Sequence, residues 1–451
     1  MWIEKHMQVF SQTQFLTNLV SLRFISLYSL NYQLQRMFMN QTTRIQLSIM
    51  MFLQFFVWGA WYGQMSKYLT EQLHATGDQV GNSYAAFSIA MIVAPFFVGM
   101  LADRFFNAEK VLGVLNLLGA GILFYLTKIN NPDTFYVVML VYCLTFAPTI
   151  ALTSSIAMRH MNIPEKEFPA IRVFGTIAWI AVVNLVGFMG VGDKVTIFQI
   201  SMISSAILGL FSFFLPSTPP ITTGKVTFGQ IIGKDAFVLF KDRSFVIFFI
   251  SSILVCIPLS FYYTWANPSL TDAYKAAMPG ADPGSFNIEN KMSLGQASEV
   301  FFMLILPFAY KRFGVKKILI VGLLAWIIRF LLFGYGNASS ASWMFYIAIL
   351  LHGVCYDFFF VTGMIYTDHK AGEKIKAQAQ GLITLATYGI GMFIGSLIAG
   401  KVKDLYTTQG ETTIAVTNWL KVWYVPAGIA AVVLLLFLLF FNDRKSEAVS
   451  A

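Results

Sequence analysis

Residues 318–336 read ILIVGLLAWIIRFLLFGYG, an apolar stretch in which Arg329 is the single charged side chain. A helix needs about 20 consecutive apolar residues to cross the hydrocarbon core of a membrane. An arginine at the centre of such a helix costs roughly 2.5–3.5 kcal/mol on insertion scales. The stretch therefore predicts a membrane helix, and the few charges inside such stretches are the first candidates for function.

Composition extends this prediction to the whole chain. Of 451 residues, 57% are hydrophobic and only 12% are charged, whereas soluble domains carry about 25% charged residues. We therefore predict an all-α integral membrane protein with twelve transmembrane helices. The predicted spans are about 47–69, 80–102, 111–128, 134–157, 171–190, 196–216, 245–266, 291–310, 318–336, 341–366, 377–400 and 416–441.

The excess of basic residues behind the net charge of +9 is explained by the expected membrane topology. Lys and Arg concentrate in alternate connections between spans, as at Lys311, Arg312, Lys316 and Lys317. Because basic residues stay on the cytoplasmic side, both termini are expected in the cytoplasm and the lipid bilayer is the expected partner. No nucleic-acid partner is expected. The three cysteines lie in apolar stretches without metal-ligand spacing, so no metal site and no cofactor are predicted.

A proline-containing connection at 217–244 divides the chain into two six-helix halves, 47–216 and 245–441. A weak internal repeat supports this division: ADRFFNAEKVL at 102–112 follows span 2, and YKRFGVKKIL at 310–319 follows span 8. Two halves related by an axis along the membrane normal are typical of major facilitator transporters. The stretch GMLADR at 99–104 resembles the loop signature G-x-L-A-D-R of that superfamily.

The chain ends and one loop complete the expected organisation. Residues 1–46 form an N-terminal cytoplasmic segment and 442–451 a cytoplasmic tail. Residues 1–38 contain no clean apolar span, and we expect translation to start at Met39 or Met37, with 1–38 as a spurious upstream extension. Residues 267–290 are expected to form a solvated outer loop or an extracellular flap.

Polar and aromatic residues recur at helical spacing within several spans. Residues three, four and seven apart share a helix face. In span 5, Arg172, Thr176 and Trp179 follow this spacing, so a cation, a hydroxyl and an aromatic plate form one stripe. The other stripes are Gln54, Trp58 and Trp61 in span 1, Ser260, Tyr263 and Asn267 in span 7, Gln296 and Glu299 in span 8, and His352 and Tyr356, with Asp357 beside them, in span 10.

Such stripes suit a small ligand with flat faces and hydroxyl groups. Aromatic rings stack on planar rings, and amides, hydroxyls and carboxylates bind hydroxyls and ring edges. A nucleoside fits this description, and so does a sugar. Glu299 and Asp357 are candidates to carry a coupling proton, since a carboxyl group loads and releases H⁺ as its surroundings change. Arg172 could instead snorkel to the cytoplasmic edge, and Arg329 is expected to form a structural pair, with Asp357 as the candidate partner.

Four stretches together resemble the nucleoside:proton symporters of the major facilitator superfamily, a family best known from bacterial nucleoside permeases. They are LQFFVWGAW at 53–61, FPAIRVFGTI at 168–177, AWIIRFLLFGYG at 325–336 and YDFF at 356–359. The resemblance implies proton-driven nucleoside import across a bacterial cytoplasmic membrane. It assigns Arg172, Thr176, Gln296, Glu299 and Asp357 to family binding-site positions. We expect the protein to act as a monomer.

At other positions this chain departs from the family pattern. Ser260 and Tyr263 stand where the family has Gln and Asn, and Trp179 replaces a Phe. In span 10, His352 replaces a Tyr and Tyr356 replaces a Phe. Some amide groups are therefore lost, which leaves a sugar or amino-sugar derivative as the alternative cargo.

Two alternatives belong to other functional classes. A membrane enzyme is not expected, because the spans show no nucleophile–base pair, zinc spacing or phosphate loop. A sensor that kept the fold but lost transport would bind without accumulation.

Overall fold

The computed structural model describes residues 39–97, 105–220, 234–409 and 415–442. Their architecture is twelve membrane-spanning helices, which confirms the predicted fold class. The helices are α1 (Gln41–Glu71, with a turn at 62–64), α2 (Gly77–Phe97), α3 (Ala108–Leu126), α4 (Pro132–Arg159), α5 (Pro164–Met189), α6 (Thr196–Ser212), α7 (Arg243–Ala277), α8 and α9 (together Ile288–Tyr335), α10 (Ser342–Gly372), α11 (Lys374–Leu405) and α12 (Trp419–Phe440). The loop motif at 99–104 and the segment 1–38 lie outside the described residues.

Two glycines separate helices that otherwise follow each other without a loop. Between α8 and α9, Gly314 has φ 74° and ψ 169°. Between α10 and α11, Gly372 has φ 66° and ψ 176°. Only glycine adopts this region of positive φ without steric cost. Each glycine therefore reverses the chain at the membrane surface, and the apolar runs on its two sides become separate spans.

The helices pack as two groups of six. In the first, Ser205 of α6 donates to the backbone oxygen of Asn116 in α3 at 2.9 Å. In the second, Trp265 of α7 donates through Nε1 to the Ala399 oxygen of α11 at 2.9 Å. The rings of Phe330 in α9 and Trp423 in α12 stack with centroids 5.6 Å apart. Aromatic packing of this kind adds to the hydrogen bonds that hold the second group together.

Two of the helices that line the centre of the bundle contain π-helical turns. One runs from Asp357 to Val361 in α10, and the other from Leu385 to Gly391 in α11. A π-helical turn adds a residue to the helix and rotates everything beyond it relative to a regular α-helix. These turns therefore change which side chains of α10 and α11 face the centre.

The predicted loop at 267–290 is wrong in extent. Helix α7 continues to Ala277, and the connection to α8 includes only a short 3₁₀ helix at Pro283–Phe286. The residues of α7 beyond Trp265 are polar enough to look like a loop, yet Asn267 and Thr271 are buried. Between α11 and α12 lies a small hairpin whose strands, β1 (Thr407–Gln409) and β2 (Ala415–Thr417), pair antiparallel.

The connection between the halves is described at both of its ends. A 3₁₀ helix at Lys234–Lys241 buries Ala236 and Leu239 against the second half. Asp242 caps α7 by accepting from the backbone N–H groups of Ser244 at 2.7 Å and Phe245 at 3.2 Å. Lys370 of α10 contacts the same carboxylate at 2.5 Å. This end of the connection is therefore fixed to the base of α7.

Candidate functional site

A cavity lies between the two halves at the middle of the bundle. Its empty volume is about 630 Å³, which includes space open to solvent. Helices of both halves contribute to its wall. The lining residues are Phe55, Trp58, Tyr62, Arg172, Gly175, Thr176, Trp179, Tyr263, Gln296, Glu299, His352, Tyr356 and Tyr388. Eight of the ten predicted substrate-binding residues are in this set.

One wall is the predicted stripe of α5. Arg172, Thr176 and Trp179 all line the cavity, as helical spacing requires of residues on one face. The Arg172 guanidinium lies 4.1 Å from the centroid of the Phe55 ring of α1. A cation over an aromatic face is stabilised by the ring quadrupole. Arg172 is therefore held at the cavity wall, and it does not point along the helix to the membrane edge.

The opposite wall comes from α8 and α10. Gln296 and Glu299 line the cavity from α8, and His352 and Tyr356 line it from α10. The Nε2 atom of His352 is 3.9 Å from Oε2 of Glu299. The Tyr356 and Tyr388 hydroxyls are 2.5 Å apart and form a hydrogen bond between α10 and α11. This wall therefore offers a carboxylate, an amide, an imidazole and paired phenols.

Aromatic rings cover the rest of the cavity. Trp58 of α1 and Trp179 of α5 meet edge to face, with centroids 5.4 Å apart. Tyr62 of α1 and Tyr263 of α7 meet in the same way at 5.3 Å, and this contact joins the two halves. Flat faces therefore lie next to the charged and hydroxyl groups, as a ligand with a planar ring requires.

Two predicted site residues do not line the cavity. Ser260 is buried and donates to the Cys256 oxygen at 3.0 Å and the Met392 oxygen at 3.3 Å, so it faces α11. The close approach of these helices is possible because α11 has Gly395 here: a β-carbon on it would lie 2.4 Å from Ser260 Oγ. Asp357 is fully buried, and within the described chain its carboxylate oxygens have no hydrogen-bond partner.

Asp357 does not line the cavity because it directly follows Tyr356 in α10. Neighbouring residues on a helix point about 100° apart, and Asp357 also begins the π-helical turn of α10. Tyr356 lines the cavity, and Asp357, about 100° further around the helix, is buried and does not. The predictions of substrate contact for Ser260 and Asp357 are therefore not supported by the geometry.

Arg329 has a different partner from the one predicted. It is fully buried, and its Nη1 atom lies 3.0 Å from Nδ1 of His352. Its guanidinium also lies 3.6 Å from the centroid of the Tyr262 ring. Among the described residues no ion pair joins it to Asp357. Arg329 therefore lies directly behind a side chain of the cavity wall.

Other members of the predicted stripes serve the packing. Gln54 donates to Thr149 Oγ1 at 2.8 Å inside the first half. Trp61 is fully buried, and its ring meets that of Tyr142 at 5.9 Å. The stripe in α1 therefore contributes Trp58 alone to the cavity.

Sequence reasoning missed a buried polar cluster beyond one end of the cavity. Lys67 of α1 and Glu289 of α8 form an ion pair with Nζ and Oε1 3.1 Å apart, and both side chains are almost fully buried. Asn267 of α7 donates to the same carboxylate oxygen at 3.0 Å. A possible signal was the position of both charges, Lys67 near the end of one predicted span and Glu289 just before the start of another.

Further contacts join the halves at the same face of the bundle, which is opposite the face where the described chain begins and ends. Asn184 of α5 donates to Ser293 Oγ of α8 at 3.0 Å. The Asp404 carboxylate of α11 accepts from the backbone N–H groups of Gly77 at 2.7 Å and Asp78 at 2.9 Å, at the start of α2. The two halves are therefore tied together on this side of the cavity.

Comparisons with known proteins agree with this architecture. Residues 39–446 match the sequence model of the family described as "Nucleoside H+ symporter". The putative nucleoside transporter YegT of Escherichia coli K12 is 40% identical over 415 residues, which cover 90% of this chain and 95% of that protein. The xanthosine permease of the same organism is 33% identical over 410 residues, with 89% and 96% covered.

A solved structure gives the same result. The crystal structure of the nucleoside transporter NupG superposes with a TM-score of 0.79 at 30% sequence identity, covering 89% of this chain and all of that chain. The major facilitator fold and the resemblance noted in the sequence are confirmed, and the chain is a membrane transporter and not an enzyme. With the family match covering most of its length, this chain belongs to the nucleoside H⁺ symporter family.

Proposed function

We propose that the protein imports nucleosides together with protons by alternating exposure of the central cavity to the two sides of a bacterial cytoplasmic membrane. One observation carries the proposal: the cavity combines Arg172 and Glu299 with hydroxyl, amide and aromatic groups from both halves. A rocking motion between halves would expose such a site to each side in turn.

The cavity suits a nucleoside in its chemistry. Trp58, Trp179 and Tyr263 offer flat faces for a base. Thr176 and Gln296 offer hydrogen-bond donors and acceptors for ribose hydroxyls and ring edges. The sugar alternative drew in part on Ser260, but that side chain packs against α11 and gives it no support.

For proton coupling we propose Glu299 and Asp357. Glu299 lies at the cavity wall, where a proton and a nucleoside would both reach it. Asp357 is buried on the same helix as His352 and Tyr356, without a hydrogen-bond partner in the described ranges. That position suits a group that exchanges a proton with its surroundings and does not hold the cargo.

The halves are residues 47–216 and 245–441, joined by 217–244, and both termini lie in the cytoplasm. The protein acts as a monomer and uses the proton gradient without a cofactor. On this topology, the face closed by Lys67 and Glu289 is the outer face, so the cavity is closed to the outside.

The test is uptake of labelled uridine and adenosine into proteoliposomes, with and without an inward proton gradient. We expect accumulation that a protonophore abolishes. Unlabelled sugars serve as competitors in the same assay and should leave uptake unchanged. Competition by a sugar, or no nucleoside uptake by a folded and reconstituted sample, would contradict the proposal.

A further inference from the structure

The contact between Arg329 and His352 has consequences for the cavity wall. Arg329 lies in α9, is fully buried and does not line the cavity. His352 lies in α10, is 1% exposed and does line it. The atoms that meet are Arg329 Nη1 and His352 Nδ1, 3.0 Å apart. A buried arginine in a membrane helix is energetically costly, so its contact with His352 points to a functional role.

The chemistry of the two groups determines the proton positions. A guanidinium group has only donors and stays protonated in proteins. Nδ1 of His352 must therefore accept the hydrogen bond. In a neutral imidazole with an accepting Nδ1, the ring proton is on Nε2. An imidazolium ring would place an N–H group against the Arg329 N–H and bring two cations together.

The arginine is itself held in place by aromatic rings. Its guanidinium carbon lies 3.6 Å from the Tyr262 centroid, 5.5 Å from that of Trp326 and 5.7 Å from that of Phe333. The Tyr262 ring also lies along the imidazole, with centroids 5.0 Å apart at an angle of 31°. Arg329 and His352 therefore pack against the same Tyr262 ring and have little freedom to rotate.

The other nitrogen of His352 faces the cavity. Nε2 is 3.9 Å from the nearer oxygen of Glu299, too far for a direct hydrogen bond and close enough for both groups to bind one ligand atom. Among the described residues, the titratable or charged groups in contact with the imidazole are Glu299 of α8, Arg329 of α9, Tyr262 of α7 and Tyr356 of its own helix.

We propose that Arg329 is a positioning residue that fixes His352 as a neutral Nε2–H donor, so that this point of the cavity binds a hydrogen-bond acceptor of the cargo. This inference rests on the proposed function. With a nucleoside as cargo, the acceptor is a base carbonyl oxygen, a ring nitrogen or a ribose oxygen. His352 then does not carry the transported proton, and Glu299 beside it is free to do so.

The direct test is the tautomer of His352 in the intact protein. The sample is labelled with ¹⁵N in its five histidines, and the ring nitrogens are observed by NMR between about pH 5 and 8, where unperturbed histidine changes charge. The His352 signals are assigned by their loss in His352→Gln. We expect an unprotonated Nδ1 and a protonated Nε2 throughout this range.

A protonated Nδ1, or a charged ring within that range, would overturn the proposal. This measurement needs no transport, so failure of the nucleoside assignment would leave it intact, and the two outcomes are distinguishable. It also uses the parent protein, so the result does not depend on whether an Arg329 variant folds.

Variants test the link to the cargo. Arg329→Met should let His352 titrate and raise the KM for the nucleoside about tenfold, which corresponds to the loss of one hydrogen bond. The new pH dependence of uptake should disappear in the double variant Arg329→Met/His352→Gln. Arg329→Lys keeps a cationic donor and should restore part of the parent KM. An unchanged KM and pH profile in folded Arg329→Met would contradict the positioning role.

Discussion

At the scale of single residues, the structure separates the two carboxyl groups proposed for proton coupling. Glu299 lines the cavity, whereas Asp357 is fully buried and does not line it. We expect Glu299→Gln to abolish uphill uptake and to leave exchange of internal for external nucleoside in place, because exchange needs no net proton movement. Counterflow in proteoliposomes measures the second property. Continued accumulation by Glu299→Gln would exclude Glu299 as the coupling group.

Asp357→Asn tests the second carboxyl group separately. If Asp357 exchanges a proton without touching the cargo, the variant should lose accumulation while its affinity for nucleoside in detergent stays at the parent value. Weaker binding in Asp357→Asn would instead place this residue in contact with the cargo, against the geometry of α10.

Arg172 is the cation of the cavity, and its loss should weaken binding. A hydrogen bond to a charged group contributes about 1.5–3 kcal/mol, so Arg172→Ala should raise the Kd roughly 10- to 100-fold. Arg44→Ala is the matched control, since Arg44 is exposed near the start of α1 and does not line the cavity. Calorimetry in detergent measures both. Equal affinities in the two variants would mean that Arg172 does not bind the cargo.

At the scale of elements, Asp242 links the connection between the halves to α7 and α10. Burial raises the pKa of this carboxyl group, but the hydrogen bond from Lys370 and those from the backbone of α7 lower it more, so the net pKa lies below its ordinary value. A group with a lowered folded-state pKa stabilises the fold above its ordinary pKa, about 3.9 for Asp, and this stabilisation is lost as the pH falls through the folded-state value.

Asp242→Asn removes the charge and keeps an oxygen that can cap α7. We expect it to lower the free energy of unfolding near neutral pH by roughly 0.2–1 kcal/mol, the range for partly exposed ion pairs. The difference from the parent should vanish at acid pH. Thermal unfolding in detergent across this pH range checks the expectation, and a difference that grows on acidification would contradict it.

The helix ends show a limit of sequence reading at the element scale. The span of α7 was predicted to end near residue 266 because its apolar run ends there. Residues such as Asn267 and Thr271 continue the helix because they find partners: Asn267 bonds to Glu289, and Thr271 bonds back to the Asn267 oxygen at 2.9 Å. Hydropathy marks the hydrocarbon boundary and not the end of a helix.

At the scale of the whole molecule, the buried pair of Lys67 and Glu289 joins the two halves. Removing one partner of a buried ion pair leaves an uncompensated charge, which costs about 3–5 kcal/mol. Lys67→Met should therefore weaken the closed state of this face. The double variant Lys67→Met/Glu289→Met removes both charges and should recover much of the stability of the closed state.

The accessibility of a cysteine introduced at Gly63 measures how firmly this face is closed. This residue borders the space between the cavity and Glu289, and a β-carbon on it would meet no atom within 4 Å. The three native cysteines are buried and provide the baseline. An impermeant maleimide added at the face opposite the termini should label Gly63→Cys faster with Lys67→Met than without it. Equal rates would contradict a role of the pair in closing this face.

The sequence by itself determined the twelve spans, the two halves and the stripes of Arg172, Thr176 and Trp179 and of Gln296 and Glu299. These follow from local properties, since hydropathy marks a span and the helical repeat fixes the angles between side chains of one helix. The tertiary structure decided how each helix is turned towards its neighbours. That rotation places Ser260 against α11, buries Asp357 and joins Arg329 to His352 and Lys67 to Glu289. It depends on packing between residues far apart in the chain, such as Ser260 against Gly395, and on the π-helical turns, neither of which periodicity within one span can show.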